Sequence, residues 1–310
     1  PLGGVLKFGN PRELTKSEIL DIIDRFINAA VIAKETGFTG VQLHSAHGYL
    51  LSEFLSPNIN QRSDEWGGSL QNRARLLLET ISGIRSKVGI DYPISVKLNS
   101  SDFQKGGFSH EESLEVAKML DQSSLDLLEI SGGTYENFTA LDIGSMNLKE
   151  SRTIKPSRST VVREAYFLKY ASEIKEHISL PLAVTGGFRS TDGMNKALET
   201  NACDIIGLGR PLCSEPDLVN NLLSGHKSSA ILYENILELG PWILGLNSPF
   251  KMIKSNNRVA QVYWCYRQIL EIAAKKDVDP KISLISALIN HFRDDAKLSK
   301  KYKKYWQDLN

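Results

Sequence analysis

The sequence predicts an α/β fold organised around a parallel sheet, and three observations carry the prediction. Between residues 15 and 212, amphipathic stretches of helical period alternate with short runs rich in Val, Ile and Leu. The short runs are nearly continuous in apolar residues, as strands buried on both faces of a parallel sheet are. Each ends in Gly, Ser, His or a charged residue, where a strand gives way to a loop.

In chain order, the first helical stretch runs from Lys16 to Glu35 and places Ile19, Ile22, Ile23, Phe26, Ala30 and Ala33 on one side; the strand Gly40 to His44 follows. A second stretch, Leu70 to Val88, repeats the period through Leu70, Ala74, Leu77, Leu78, Ile81 and Ile84 and leads to the strand Ile94 to Asn99. The third, His110 to Asp121, opens on Ser109 with Glu112 three residues on, the spacing of a capping box, and precedes the strand Leu125 to Ile130. Helices at Arg163 to His177 and Thr191 to Thr200 precede strands at Leu182 to Thr185 and Asp204 to Leu208. Five strands fit either an open doubly wound sheet or part of a closed eight-strand barrel, and their number does not decide. From Ser214 to Asn310 the alternation stops and the chain reads as helices, with Trp242, Trp264 and Trp306 among them. Five lysines between Lys297 and Lys304 read as a solvated helix face.

Composition bounds the function. The 310 residues are 41% hydrophobic and 24% charged, as in globular proteins with a substantial core. With 37 Lys and Arg against 36 Asp and Glu, the net charge of +1 gives no general attraction to nucleic acid or to an anionic membrane, and a small-molecule ligand is expected. Cys203, Cys213 and Cys265 are odd in number and lack C-x-x-C spacing, against both a disulfide framework and a structural zinc site. A reducing, cytoplasmic setting is expected. No apolar run approaches the roughly 20 residues of a membrane span, and the start, Pro1-Leu2-Gly3-Gly4, has no signal-peptide character.

Ligands in parallel α/β folds sit at the carboxyl ends of strands, so the polar residues just after each apolar run are the candidates. They are His44, Lys97, Ser131-Gly132-Gly133, Thr185-Gly186-Gly187 and Gly209-Arg210. Glycines after two consecutive strands, with an arginine, let backbone N–H groups approach a phosphate that Arg210 neutralises; taken singly, each glycine turn reads as a tight connection. His44-x-x-His47-x-Tyr49 groups three hydrogen-bonding side chains where a strand ends. Two imidazoles there can stabilise negative charge on a carbonyl oxygen while a phenol delivers a proton nearby. A zinc site is the weaker alternative, because a lone H-x-x-H lacks further ligands.

Three stretches resemble the old yellow enzyme family, in particular the branch grouped with bacterial NADH:flavin oxidoreductases and 2,4-dienoyl-CoA reductases. They are Gly37 to Leu51, containing the His44-Ser45-Ala46-His47-Gly48-Tyr49 run, Phe54-Leu55-Ser56-Pro57, and Arg62 to Arg73. The likeness extends from about Leu14 to Val219. It implies an FMN-linked (β/α)8 TIM barrel with non-covalently held FMN, NADH or NADPH as hydride donor, and an enone or similar electron-poor alkene as substrate. By that resemblance His44 and His47 hold the substrate oxygen and Tyr49 is the proton donor. Lys97 stands where the family often has an arginine at the flavin pyrimidine, keeping the charge and losing the bidentate fork. Gly186, Gly187, Gly209 and Arg210 match the phosphate loops, Gly132 lines the flavin edge, and Tyr135 to Ser159 forms a variable loop near the entrance. Asp64, Gly67, Gly68 and Arg73 are expected to shape a loop rather than to act in catalysis. Family members often self-associate, which makes a homo-oligomer an expectation.

A family barrel opens with three strands before the His-x-x-His strand, whereas only 36 residues precede Gly37 here. The visible strands are therefore read as the fourth to eighth of the family, in a domain spanning residues 1–213, with a barrel-closing helix and helical extension at 214–310. On this reading the sequence is a piece of a longer enzyme whose natural N-terminus lies upstream. The alternative is a catalytically silent binding or scaffold protein, and a lesser one a metal-dependent hydrolase using His44 and His47.

Overall fold

Thr15 begins the first regular element because its hydroxyl accepts the Glu18 N–H while the Glu18 carboxylate accepts the Thr15 N–H. This box opens α1 (Lys16–Glu35), which buries Ile19, Ile23 and Ala30. The structure is a computed structural model describing residues 11–132 and 167–308. Gly133, the expected loop from Tyr135 to Ser159 and the expected helix start at Arg163 lie outside the described residues. The chain divides into two compact units, one comprising Gly9–Leu208 and the other containing Gly209–Asn310.

In the first unit α1 is followed by β1 (Val41–Ser45), α2 (Leu50–Leu55), α3 (Leu70–Val88), β2 (Ile94–Asn99), α4 (His110–Asp121) and β3 (Leu127–Ser131). After the undescribed stretch come α5 (Leu168–Lys175), β4 (Leu182–Thr185), α6 (Thr191–Glu199) and β5 (Ile205–Gly207). All pairings are parallel, and each strand lies beside the next in the chain, in the order β1-β2-β3-β4-β5. A doubly wound sheet reverses its order at a switch point, and this sheet does not; winding in one direction is how a (β/α) barrel is built.

Alternation along the strands separates two faces. Leu43, Val96, Leu98, Leu128, Ile130, Leu182 and Val184 are buried in one core with Leu77, Ile81 and Ile84 of α3 and Val116 and Leu120 of α4. The opposite face carries Gln42, which is exposed, and His44, Ser95, Lys97, Glu129 and Thr185, which are partly exposed. His44, Lys97 and Glu129 are register partners across three strands.

β2 and β4 start where their apolar runs do, whereas β3 and β5 start later for a physical reason. Asp126, just before β3, accepts the Ile94 N–H at 2.7 Å and pairs with Arg85 of α3 at 2.5 Å. Asp204 does the same before β5, accepting the Leu182 N–H at 2.7 Å and pairing with Lys175 of α5 at 2.5 Å. Each carboxylate satisfies the first N–H of a neighbouring strand and ties it to the preceding helix. The capping box at Ser109 and Glu112 opens α4 as the spacing requires.

In the second unit a 3-10 turn (Arg210–Cys213) precedes α7 (Leu218–Leu223), and two long helices, α8 (Lys251–Ala273) and α9 (Leu284–Asp308), pack together. Ala260 and Trp264 of α8 meet Leu284 and Ala287 of α9, with the Trp264 indole N–H donating to the Ile282 carbonyl at 2.9 Å. Residues 295–307 are exposed throughout, so the lysine-rich segment is a solvated helix. No helix among the described residues is long and apolar enough to cross a membrane.

Candidate functional site

The carboxyl end of β1 brings the three sequence candidates together. The His44 ring centroid lies 5.1 Å from that of His47 and 4.8 Å from that of Tyr49. His44 belongs to the strand, so its direction is set by the sheet. His47 is placed by a turn in which it and Gly48 both adopt left-handed backbone, at φ 62° and 78°. A non-glycine residue there is uncommon and needs local support. The support is present: the His47 N–H donates to Asn99 Oδ1 at 3.2 Å, its ring Nε2 is 2.8 Å from the Ser131 hydroxyl, and the Gly48 N–H donates to the Ser52 hydroxyl at 2.9 Å. The turn is thus pinned to the ends of β2 and β3 and to α2. Tyr49 precedes α2 and is 44% exposed.

Both histidines are held in the neutral form. Burial pushes His47 down to about 4, helped by neighbouring His44 and Lys97 and opposed by Glu129. His44 is lowered by burial and then by Lys97, again against Glu129. Neutral imidazoles at the mouth of a strand can donate an N–H to an oxygen without a full charge of their own.

Beside His44 the chain carries a feature that sequence reading missed. Lys97 Nζ lies 2.7 Å from Glu129 Oε1, with the two side chains only 18% and 13% exposed, and Gln42 Nε2 donates to Glu129 Oε2 at 2.9 Å. Burial pushes the Glu129 carboxyl up, and hydrogen bonds from Lys97, Thr185 and Gln42 together with the Lys97 charge more than reverse this, so it sits below the ordinary carboxylate value. The missed signal was an acid inside the run Leu127-Leu128-Glu129-Ile130, where a buried charge demands a partner. Lys97 therefore carries a charge that is compensated within the sheet.

After β4, Gly186 and Gly187 have φ 142° and 84°, backbone that a side chain disfavours. A Cβ on Gly186 would come within 2.9 Å of the Phe167 ring, and one on Gly132 within 2.6 Å. Phe167, which the sequence did not single out, thus packs across the ends of β3 and β4. Gly209 and Arg210 belong to the second unit, where Gly209 precedes the 3-10 turn and a Cβ on it would meet nothing within 4 Å.

Arg62 and Arg73 hold the loop between α2 and α3. Arg62 is fork-bonded to Asp64 at 2.9 and 2.5 Å and donates to the Leu14 carbonyl at 2.6 Å. Arg73 is buried and donates to the Leu55 carbonyl and to Glu112 of α4. These contacts are internal to the scaffold. Among the described residues no group of three or more His, Cys, Asp or Glu is arranged to hold a metal ion.

The family model for the NADH:flavin oxidoreductase / NADH oxidase family matches residues 5–228. The chain belongs to this family. A curated NADH:flavin oxidoreductase relative, the NADH-dependent flavin oxidoreductase nadA of Aspergillus parasiticus, is 39% identical over 226 residues, covering 73% of this chain and 48% of its own. Among solved structures, a 2-naphthoyl-CoA reductase complex superposes with a TM-score of 0.60 at 34% identity, over 69% of this chain and 30% of that one. The old yellow enzyme homologue from Zymomonas mobilis superposes with a TM-score of 0.55 at 25% identity, over 74% and 59%. The chain thus spans about half the length of that curated flavin oxidoreductase.

Proposed function

We propose that this chain supplies the substrate-facing part of an FMN-dependent ene-reductase that uses NADH or NADPH and reduces the C=C bond of an α,β-unsaturated carbonyl or related electron-poor compound. The observation that carries the reading is the convergence of His44, His47 and Tyr49, with the His44 ring 5.1 Å from that of His47 and 4.8 Å from that of Tyr49, at the end of a strand whose neighbour presents Lys97. The reductase acting on 2-naphthoyl-CoA, to which the fold is similar, supports a conjugated carbonyl substrate.

Two features are compatible with a bound flavin mononucleotide: Gly186 and Gly187 leave the loop after β4 without side chains, and Lys97, paired with Glu129, places an ammonium beside His44. Gly186 and Gly187 would hold its phosphate; Lys97 would face its pyrimidine side and Gly132 its edge. When bound, the flavin supplies the hydride that goes to the β-carbon. His44 and His47 donate N–H groups to the substrate oxygen and stabilise the charge that grows on it as the β-carbon is reduced. Because His47 Nε2 is engaged with Ser131, a substrate oxygen meets the other ring nitrogen or takes the place of that hydroxyl. Tyr49 delivers its phenolic proton to the α-carbon and recovers one from solvent, which its exposure allows. The five strands correspond on this reading to the fourth to eighth of an eight-strand barrel.

The test is a visible spectrum of the protein made from the longest transcript. Flavin bands that bleach on addition of reduced nicotinamide support the reading. Tyr49→Phe should then slow alkene reduction at least tenfold while flavin reduction keeps its rate. A soluble, cooperatively folded protein that stays colourless with added FMN overturns it in favour of a binding or scaffold role.

A further inference from the structure

Cys213 closes the 3-10 turn Arg210–Cys213, and Cys265 lies 52 positions further on, in the middle of α8. The turn packs on α8, and the two thiols are hydrogen-bonded to each other. Neither is sealed off: both are partly exposed, whereas Cys203 is buried. Thiols within hydrogen-bond reach hold their sulfurs close enough that a change of side-chain rotamer can close a disulfide of about 2.05 Å.

The surroundings make the pair unequal. The bond from Cys265 pulls the Cys213 thiol down to about 7, burial opposes it, and Arg210 adds a favourable charge. The same bond and burial push the Cys265 thiol up. Cys203 is pushed up to about 11 by burial and by Asp204. Peroxides react with thiolates and not with thiols, so of the three cysteines Cys213 is the one suited to react near neutral pH.

The geometry points to a peroxide-reactive dithiol in which Cys213 is the attacking sulfur and Cys265 the resolving one. The Cys213 thiolate attacks one oxygen of hydrogen peroxide; the O–O bond breaks, hydroxide leaves and takes up a proton as water, and Cys213 becomes a sulfenic acid. The Cys265 sulfur then attacks Cys213, the S–O bond breaks, and the departing hydroxide carries off the Cys265 proton as a second water. Two thiols and one peroxide become one disulfide and two waters, with two electrons passing from sulfur to oxygen. This holds whether or not the chain binds flavin.

The test uses the reduced full chain, treated with stoichiometric hydrogen peroxide, then denatured and alkylated for intact-mass and peptide analysis. The expected product has lost two hydrogens, carries one alkylated cysteine instead of three, and yields a linked Cys213–Cys265 peptide. Its rate of formation rises with pH through a midpoint near 7. In Cys265→Ser a sulfenic acid trapped by dimedone accumulates at Cys213, and in Cys213→Ser no peroxide-dependent product forms on that timescale. Three free thiols after treatment, over-oxidation of Cys213 without a link, or a link between two chains would each overturn the proposal, and the unmodified chain alone decides among them.

Discussion

Replacing Lys97 by Met leaves Glu129 in the sheet without its cation. The pair is nearly buried, and Glu129 keeps its hydrogen bonds from Gln42 and Thr185. Breaking a buried ion pair typically costs about 3–5 kcal/mol because a charge is stranded; two surviving hydrogen bonds, each worth roughly 1 kcal/mol to a carboxylate, reduce this to about 1–3 kcal/mol. For a unit of this size that is a fall in Tm of roughly 2–12 °C. The pH dependence fixes the cause. In the native chain Glu129 is held below its ordinary value, so its contribution is present above the unfolded value near 4.3 and is lost as pH falls through the lower folded value. In Lys97→Met burial is left dominant and the folded value rises above the unfolded one. The penalty is then full at pH 7 and relieved as the carboxyl protonates towards pH 5. Urea unfolding at pH 7 and pH 5, with hydrogen exchange at β2 and β3 amides to assign the loss to this unit, measures both effects. Lys97→Met combined with Glu129→Gln should recover about 2 kcal/mol at pH 7, because both charges leave together. A single-variant loss below about 0.5 kcal/mol, or an equal loss at both pH values, would mean that the pair behaves as a screened surface contact.

His47, depressed to about 4 by burial, should remain neutral down to pH 5; its ring proton shifts in NMR report this, and a midpoint above 6 contradicts the burial argument. Because its folded value lies below the unfolded one near 6.5, its contribution to stability is complete above 6.5 and declines as pH falls towards 4, which acid unfolding of a His47→Gln comparison detects. Gly207→Ala would place a Cβ 1.7 Å from the Thr185 hydroxyl and should cost about 2–3 kcal/mol in a thermal melt; an unchanged Tm refutes the close approach of β4 and β5. Arg73→Leu leaves the Leu55 carbonyl without this donor and Glu112 with the Ser109 N–H but no cation, and should cost about 3 kcal/mol, while any flavin spectrum of the folded variant stays unchanged, since its bonds are to the scaffold.

The helices were legible wherever the period ran long enough: α1, α3 and α4 begin and end where the pattern of apolar residues places them. β2 and β4 were legible at both ends, whereas the start of β3 was not, because Leu125 and Asp126 look continuous with Leu127 until the Asp126 carboxylate is seen to bond the Ile94 N–H. Leu50–Leu55 went unread as helix because six residues do not complete two turns, and a period cannot be measured on them. The cluster of His44, His47 and Tyr49 was legible because all three sit within one strand-to-loop transition. Glu129, Phe167 and the Cys213–Cys265 contact were not, because each depends on residues brought together from distant parts of the chain, which spacing does not encode.

The two faces of the sheet explain why the polar interruptions were informative. A parallel strand covered on both sides is apolar throughout, yet Gln42, His44, Ser95, Lys97, Glu129 and Thr185 fall on the face opposite the helical core. A sheet tolerates a charge there only if its partner stands within hydrogen-bond reach, and register supplies that partner by setting Lys97 against Glu129. A lysine at position 97, where the resemblance often implies an arginine, therefore cannot be weighed alone. An arginine has donors enough to bind a carboxylate in a fork and still face a ligand, whereas a single ammonium shared with Glu129 presents a ligand with a dipole rather than a net charge. On the proposed reading Lys97 and Glu129 act on the flavin as one neutral unit, and removing Glu129's charge should shift its potential upward, towards easier reduction.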